Sequence, residues 1–177
     1  MDKHITAPFD KKQVEELHAG DYVYISGVIY SARDAAHKRM YDTLIENEND
    51  ESKLPIKLEG NVIYYLGPTP AREGQVIGSA GPTTSSRMDK YTPLILSKGL
   101  NGMIGKGKRS QAVIDAIVEN KAVYFAAVGG AGALLSKCIK KSEVVAYDDL
   151  GTEAIRKMTV ENLPAVSYTH LTLPTIA

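Results

Sequence analysis

The stretch GMIGKGKRSQAVIDAIVENKAVYFAAV, Gly102 to Val128, starts as a short apolar run and passes through a glycine turn into apolar positions at helical spacing. It then returns to a run of β-branched and aromatic residues. It predicts a strand over Gly102 to Ile104, a helix over Ser110 to Asn120 and a strand over Ala122 to Val128. Moving outward, a helix is expected over Ser86 to Ser97 before it, and a helix over Gly132 to Lys140 and a strand over Glu143 to Tyr147 after it. Regular alternation of this kind marks an α/β fold with parallel strands, because a parallel pair needs a crossover long enough to hold a helix.

Further upstream, Lys11 to Ala19 reads as a short helix capped by Asp10 and stopped by Gly20. Tyr22 to Tyr30 alternates as a strand does, and Asn61 to Leu66 and Gln75 to Ile77 repeat that pattern more briefly. Between them Ala32 to Ile45 sets Ala35, Ala36, Met40, Tyr41 and Leu44 on one helical stripe. Glu46 to Glu59 is acidic and contains Pro55, so it is expected as a solvated loop; Gly67 to Gly81, rich in Gly and Pro, bends around a ligand or a corner. Ala154 to Val166 predicts two more strands.

Composition removes several classes of function. The 177 residues make one domain, and 21 basic side chains against 21 acidic ones leave no excess with which to hold a nucleic acid or an anionic membrane. An apolar fraction of 44% is enough for a packed core. No apolar run is long enough to cross a membrane and the first residues lack a secretory core, so the expected location is cytoplasmic. A single cysteine, Cys138, excludes an internal disulfide and an all-cysteine zinc or iron–sulfur site made by this chain alone; it reads as a small buried residue inside a helix.

Chemistry is expected where strands hand over to helices, since helix N-termini present unpaired N–H groups there. Three turns qualify. In Ser31 to Arg39, Arg33 opens a helix with His37 one turn later; the guanidinium could fork onto a carboxylate, or the segment is an exposed basic face with His37 paired to Asp34 or a backbone carbonyl. In Gly81 to Asp89, the hydroxyls of Thr83, Thr84, Ser85 and Ser86 precede Arg87, which makes either a capped helix or an anion cradle. In Gly102 to Ser110, Lys106 stands between two glycines directly after a strand, where it could reach a ligand as a point charge. That turn lacks the spacing and the Ser or Thr of a nucleotide P-loop, and Gly130 to Leu135 has Leu135 where a dinucleotide fingerprint needs its third glycine.

In order along the chain, ARDAAHKRM, GPTTSSRMDKY, GMIGKGKRS and AVGGAGALL followed by AYDDLGTEAIRKM resemble the β subunit of the class I fumarate hydratase and L-tartrate dehydratase family, from about Leu17 to Pro164. The resemblance implies a swivelling β/β/α domain with a largely parallel sheet and helices wound after the strands, spanning residues 1–166. It implies a hydro-lyase acting on a C4 dicarboxylate, assembled with an α subunit as a hetero-oligomer. That partner carries the [4Fe–4S] cluster on three cysteines, and this chain supplies no metal ligand. Carried over by residue, Arg33, Thr84, Arg87 and Lys106 contact the substrate, and Thr83 with Lys106 forms the catalytic group, Thr83 as the proton-transferring residue. Fumarate is the implied substrate, tartrate or a methylated fumarate the alternative; a non-catalytic carboxylate-binding module is the reading outside enzymology. The chain departs from the family at Ser86, where Gly is usual, and over residues 167–177, SYTHLTLPTIA, which reads as foreign sequence.

Overall fold

Seven strands are joined by four parallel and three antiparallel pairings, and the sheet closes on itself. The computed structural model describes residues 2–128 and 132–168. In chain order the elements are β1 (Asp2–Ala7), α1 (Lys11–Glu15), β2 (Tyr22–Ser31), α2 (Asp34–Glu46), β3 (Val62–Tyr64), α3 (Thr92–Ser97), β4 (Gly102–Gly105), α4 (Gln111–Glu119), β5 (Val123–Ala127), α5 (Gly132–Ser136), β6 (Ile139–Ala146) and β7 (Ile155–Ser167). Strands β2, β3, β4 and β5 run parallel, and β7 lies antiparallel against both β5 and β2, so these five form a small barrel-like ring. β1 pairs in parallel with β2, and β6 pairs antiparallel with β7. The chain is therefore mixed α/β, with parallel pairing confined to β1 through β5 and antiparallel pairing wherever β7 takes part.

Period-two alternation sorts the parallel strands' side chains into two cores. Val62, Tyr64, Ile104, Val123 and Phe125 pack with Val23, Ile25, Met158 and Leu163 in one cluster. Their neighbours Ile63, Tyr65, Met103 and Tyr124 pack in the other, with Ala36, Met40 and Leu44 of α2 and Val113 and Ile117 of α4. Both faces of β3, β4 and β5 are thus covered, which is why these segments read as unbroken apolar runs.

Several boundaries differ from expectation. β1 gave no signal, because its alternating Asp2, His4 and Thr6 are exposed and only Ala7 is fully buried. The first helix ends at Glu15 rather than Ala19, where Asp21 captures the His18 N–H at 2.8 Å. No strand forms over Gln75 to Ile77. The expected helix Ser86 to Ser97 is split into a 3₁₀ turn, Ser85–Met88, and α3, because Pro93 at the start of α3 cannot continue a helix from Asp89. α5 stops at Ser136 and β6 begins at Ile139, so Cys138 lies in the turn between them, half-buried, and not inside a helix. Ala154 to Val166 is one long strand with two residues, Glu161 and Asn162, bulged out of the β2 register. Of the stretch set apart as foreign, Ser167 is buried at the end of β7 and Tyr168 stacks on Tyr124 with ring centres 6.1 Å apart; residues 169–177 lie outside the described residues. Residues 129–131 of the AVGGAGALL motif are likewise outside them.

Candidate active site

The C-terminal ends of β2, β3 and β4 carry all three turns singled out above, and the ladder continues past the strands to stitch them together. Ala32 N–H donates to the Tyr64 carbonyl at 3.1 Å and Tyr65 N–H to that of Ile104 at 2.8 Å. Thr83 N–H donates to Tyr65 at 2.8 Å, and Ser85 N–H to Lys106 at 2.9 Å, so Thr84 and Lys106 pair as a parallel bridge. Thr83 and Thr84 therefore lie beside the Lys106 turn although more than twenty residues separate them in sequence.

The first and second turns are joined by charge. Arg87 donates through Nε at 2.8 Å to Asp34 Oδ2, and its Nη2 lies 2.7 Å from the same oxygen as an ion-pair contact. Arg33, the residue before Asp34, lies against Gly67 with its Nε 3.3 Å from Glu153 Oε1, an ion-pair contact without a hydrogen bond. Glu153 instead accepts from the Ala35 N–H at 3.0 Å, at the start of α2. Asp34 Oδ1 and Arg33 Nε are buried atoms without a hydrogen-bond partner. No carboxylate among the described residues lies within ion-pair distance of exposed Lys106.

The hydroxyls of Thr83 and Thr84 make no hydrogen bond to another described residue, and Thr84 at the N-cap of the 3₁₀ turn leaves that turn uncapped. Capping thus accounts for neither hydroxyl. Ser85 is different: it is fully buried and bonded to both Lys106 N–H and the Tyr124 hydroxyl. Ser86, at the position of family departure, is exposed. A Cβ at Gly105 would sit 2.0 Å from Ser85 Oγ, so the close approach of these turns requires glycine there; Gly107 takes φ +85, the left-handed region that glycine tolerates best.

His37 follows the quieter of its two readings. It is buried on α2, its Nδ1–H donates to the Arg33 carbonyl at 2.9 Å, and its ring meets Tyr65 edge-on. Burial, opposed by that hydrogen bond, pushes its pKa down to about 4, so it is a neutral donor that fixes the backbone under Arg33.

Beneath the turns lies a network that sequence reasoning did not find. Arg109, buried, donates to Asp89 Oδ1 at 2.8 Å, to the Tyr65 hydroxyl at 3.0 Å and to Thr92 Oγ1 at 2.9 Å, and its guanidinium stacks near the rings of Tyr65 and Tyr124. Asp89 uses its other oxygen to accept Ser110 N–H at the start of α4, at 2.9 Å. The signal was present only as an arginine just before the helix cap, with nothing local to name its partners. Three cations and two hydroxyls without a hydrogen-bond partner lie on neighbouring turns, with Arg33 facing Glu153, Arg87 facing Asp34 and Lys106 facing no carboxylate among the described residues. Clefts run along Glu51 to Glu59, around Phe9 and Asn101, and in two places between the 69–79 loop and α5; none of these is lined by Arg33, Thr83, Thr84, Arg87 or Lys106. Among the described residues no group of three or more His, Cys, Asp and Glu side chains could hold a metal, and burial pushes the Cys138 thiol up, away from the thiolate a metal needs. The donor set does not fit an iron–sulfur cluster.

The family model described as Fumarase C-terminus matches residues 3–170. "Fumarate hydratase 2" of Leishmania major is 37% identical over 162 residues, covering 89% of this chain and 28% of that protein. "Fumarate hydratase class I, aerobic" of Salmonella typhimurium is 37% identical over 156 residues, covering 87% of this chain and 26% of that protein. "Putative L(+)-tartrate dehydratase subunit beta" of Methanocaldococcus jannaschii is 38% identical over 157 residues, 86% of this chain and 78% of that subunit. The chain thus spans about a quarter of the length of the two fumarate hydratases but most of the tartrate dehydratase subunit.

Proposed function

The chain belongs to the Fumarase C-terminus family, and from that premise we propose that it is the β-type part of an iron–sulfur hydro-lyase that reversibly hydrates fumarate to malate. What supports this reading is that the turns bearing Arg33, Arg87, Lys106, Thr83 and Thr84 are tied together, by the Thr84–Lys106 bridge and the Arg87–Asp34 pair, at the ends of parallel strands. A C4 dicarboxylate brings two negative charges, and removing a proton from the carbon beside a carboxylate builds further charge. Two guanidiniums and an ammonium fixed in advance match that demand.

Arg33, Thr84, Arg87 and Lys106 bind and orient the substrate, and Thr83 moves the proton. An alcohol has no pKa near neutrality, so Thr83 acts only with a neighbour that takes up or supplies charge, and Lys106, bridged to the adjacent Thr84, is the candidate on this chain. The exposed cluster is one wall of a site; excluding water requires a second wall, which we assign to an α part, on the same or a separate chain. The [4Fe–4S] cluster belongs there, since this chain's donors do not fit it. In this reading residues 1–166 form the swivelling domain that closes over the substrate, Ser167 and Tyr168 pack onto it so that the extraneous stretch begins after Tyr168, and the assembly is cytoplasmic.

The similarity to a tartrate dehydratase subunit favours a second substrate, L-tartrate, on the same scaffold. The test is anaerobic reconstitution with the α part and assay against fumarate, L-tartrate and mesaconate. Turnover of fumarate by the pair and none by this chain alone is expected. Activity of the lone chain overturns the division of labour; binding of dicarboxylates without turnover by the pair leaves the carboxylate-binding module.

A further inference from the structure

Lys106 is held by its backbone through Ser85, and the chain of bonds that holds it passes on to Tyr124 of β5. Tyr124 Oη donates to the Gly107 carbonyl at 2.8 Å and stands 2.8 Å from Ser85 Oγ. A phenol has one proton, and the carbonyl can only accept, so Ser85 donates to Tyr124. Ser85 Oγ in turn accepts the Lys106 N–H at 3.1 Å. The bonds run in one sense, from Lys106 N–H through Ser85 and Tyr124 to the Gly107 carbonyl, and close a ring around the lysine. Burial pushes the Tyr124 pKa up to about 12, which keeps the donor protonated through any working pH. Its ring is pinned between the Arg109 guanidinium, 5.0 Å away, and Tyr168.

We propose that Tyr124, acting through Ser85, is a positioning residue that fixes the Lys106 backbone and so sets where its ammonium meets the substrate carboxylate. This deepens the hydro-lyase reading and rests on it for the role of Lys106. The ring of bonds also explains why a lysine flanked by two glycines, which by itself would be the loosest point of the site, can serve in a preorganised one.

Tyr124→Phe and Ser85→Ala remove the relay at different links with little change of shape. Hydrogen exchange of the full chain is expected to speed up at the Lys106 and Ser85 amides in either variant and to stay unchanged in β2 and β3. In the reconstituted pair each variant should lose about tenfold in kcat/KM for the dicarboxylate, the worth of one or two hydrogen bonds. The double variant should lose no more than either single one, because a relay cut once is cut throughout. Unchanged exchange at Lys106, or losses that add in the double variant, would overturn the proposal. Should the wild-type pair turn over no dicarboxylate, the hydro-lyase reading falls while the exchange experiment still decides the clamp. If Tyr124→Phe does not fold, Ser85→Ala carries the same measurements.

Discussion

Two arginine–aspartate pairs meet around one 3₁₀ turn, where Arg87 and Asp89 stand two residues apart, and do opposite work. Arg109 is buried and Asp89 mostly so, with side chains 1% and 15% exposed, and every polar bond of the arginine stays inside the protein. Arg87 and Asp34 are open, 51% and 32% exposed, and the arginine meets a single carboxylate oxygen, with one hydrogen bond from Nε and an ion-pair contact from Nη2. The same chemistry is a strut in one place and a displaceable contact in the other. Burial decides which: a desolvated pair is costly to break, whereas a solvated one exchanges partners at little cost.

The contrast is tested most directly by removing each arginine in turn. Arg109→Met leaves the Asp89 carboxylate without its partner and should cost about 3–5 kcal/mol of stability, read as a large fall in the denaturation midpoint. Arg87→Met should cost less than about 1 kcal/mol of stability but reduce turnover by the reconstituted pair by about a hundredfold to a thousandfold. If Arg87→Met destabilised the fold as much as Arg109→Met, or left turnover near normal, strut and contact would have been assigned the wrong way round.

His37 extends the comparison to protons, because it belongs to the buried floor yet carries the backbone of Arg33 at the rim. Its folded pKa, about 4, lies below the ordinary 6.5, so above pH 6.5 neither state binds the proton and the contribution is complete. As pH falls from 6.5 to 4 only the unfolded state takes up the proton, and stability drops by about 3 kcal/mol. Below about 4 the slope vanishes. Chemical denaturation across that window should show the loss, and His37→Asn, which can still donate to the Arg33 carbonyl, should flatten it. A steep, unchanged slope in the variant would move the pH dependence to other groups.

A smaller effect is expected where floor and rim touch. Gly105→Ala puts a methyl against Ser85 Oγ and the Tyr65 ring, and should cost about 1–3 kcal/mol through forced displacement of buried neighbours. Faster exchange at the Lys106 amide should accompany that cost; a variant as stable as wild type would show that the turns are not tightly stitched.

The same division separates what the sequence reveals from what it hides. The rim was legible because it breaks local rules. Four hydroxyls in a row exceed what a helix cap can use, and a lysine between glycines after a strand has no packing role. The helices α2 and α4 were legible from their stripes, and Ser110 was legible as the cap of α4. The floor was not legible. Arg109 finds its partners 20, 17 and 44 residues away in sequence, and no local pattern encodes those distances. Ring closure is non-local in the same way: β7 returns to β2 so that Ala165 faces Val23, and nothing in either strand names the other. The proline that divides α3 from the preceding 3₁₀ turn was visible, but it sits at a position that starts a helix as readily as it ends one.

Asp34 sets the finest distinction, whether the open pair merely neutralises Arg87 or also aims it. Its Oδ2 accepts from Arg87 Nε and lies against Nη2, and Nη1 has no carboxylate partner among the described residues. An orienting group, rather than a competitor for the substrate's place, would leave that side of the guanidinium to a ligand. Asp34→Asn keeps an oxygen that accepts the Nε bond while removing the charge, so it should cost less than about 1 kcal/mol of stability. In the reconstituted pair KM for the dicarboxylate should rise a few-fold with kcat nearly unchanged, the mark of weaker uniform binding. A fall in KM would mean the opposite, that the carboxylate occupies the place the substrate takes and must be displaced on binding.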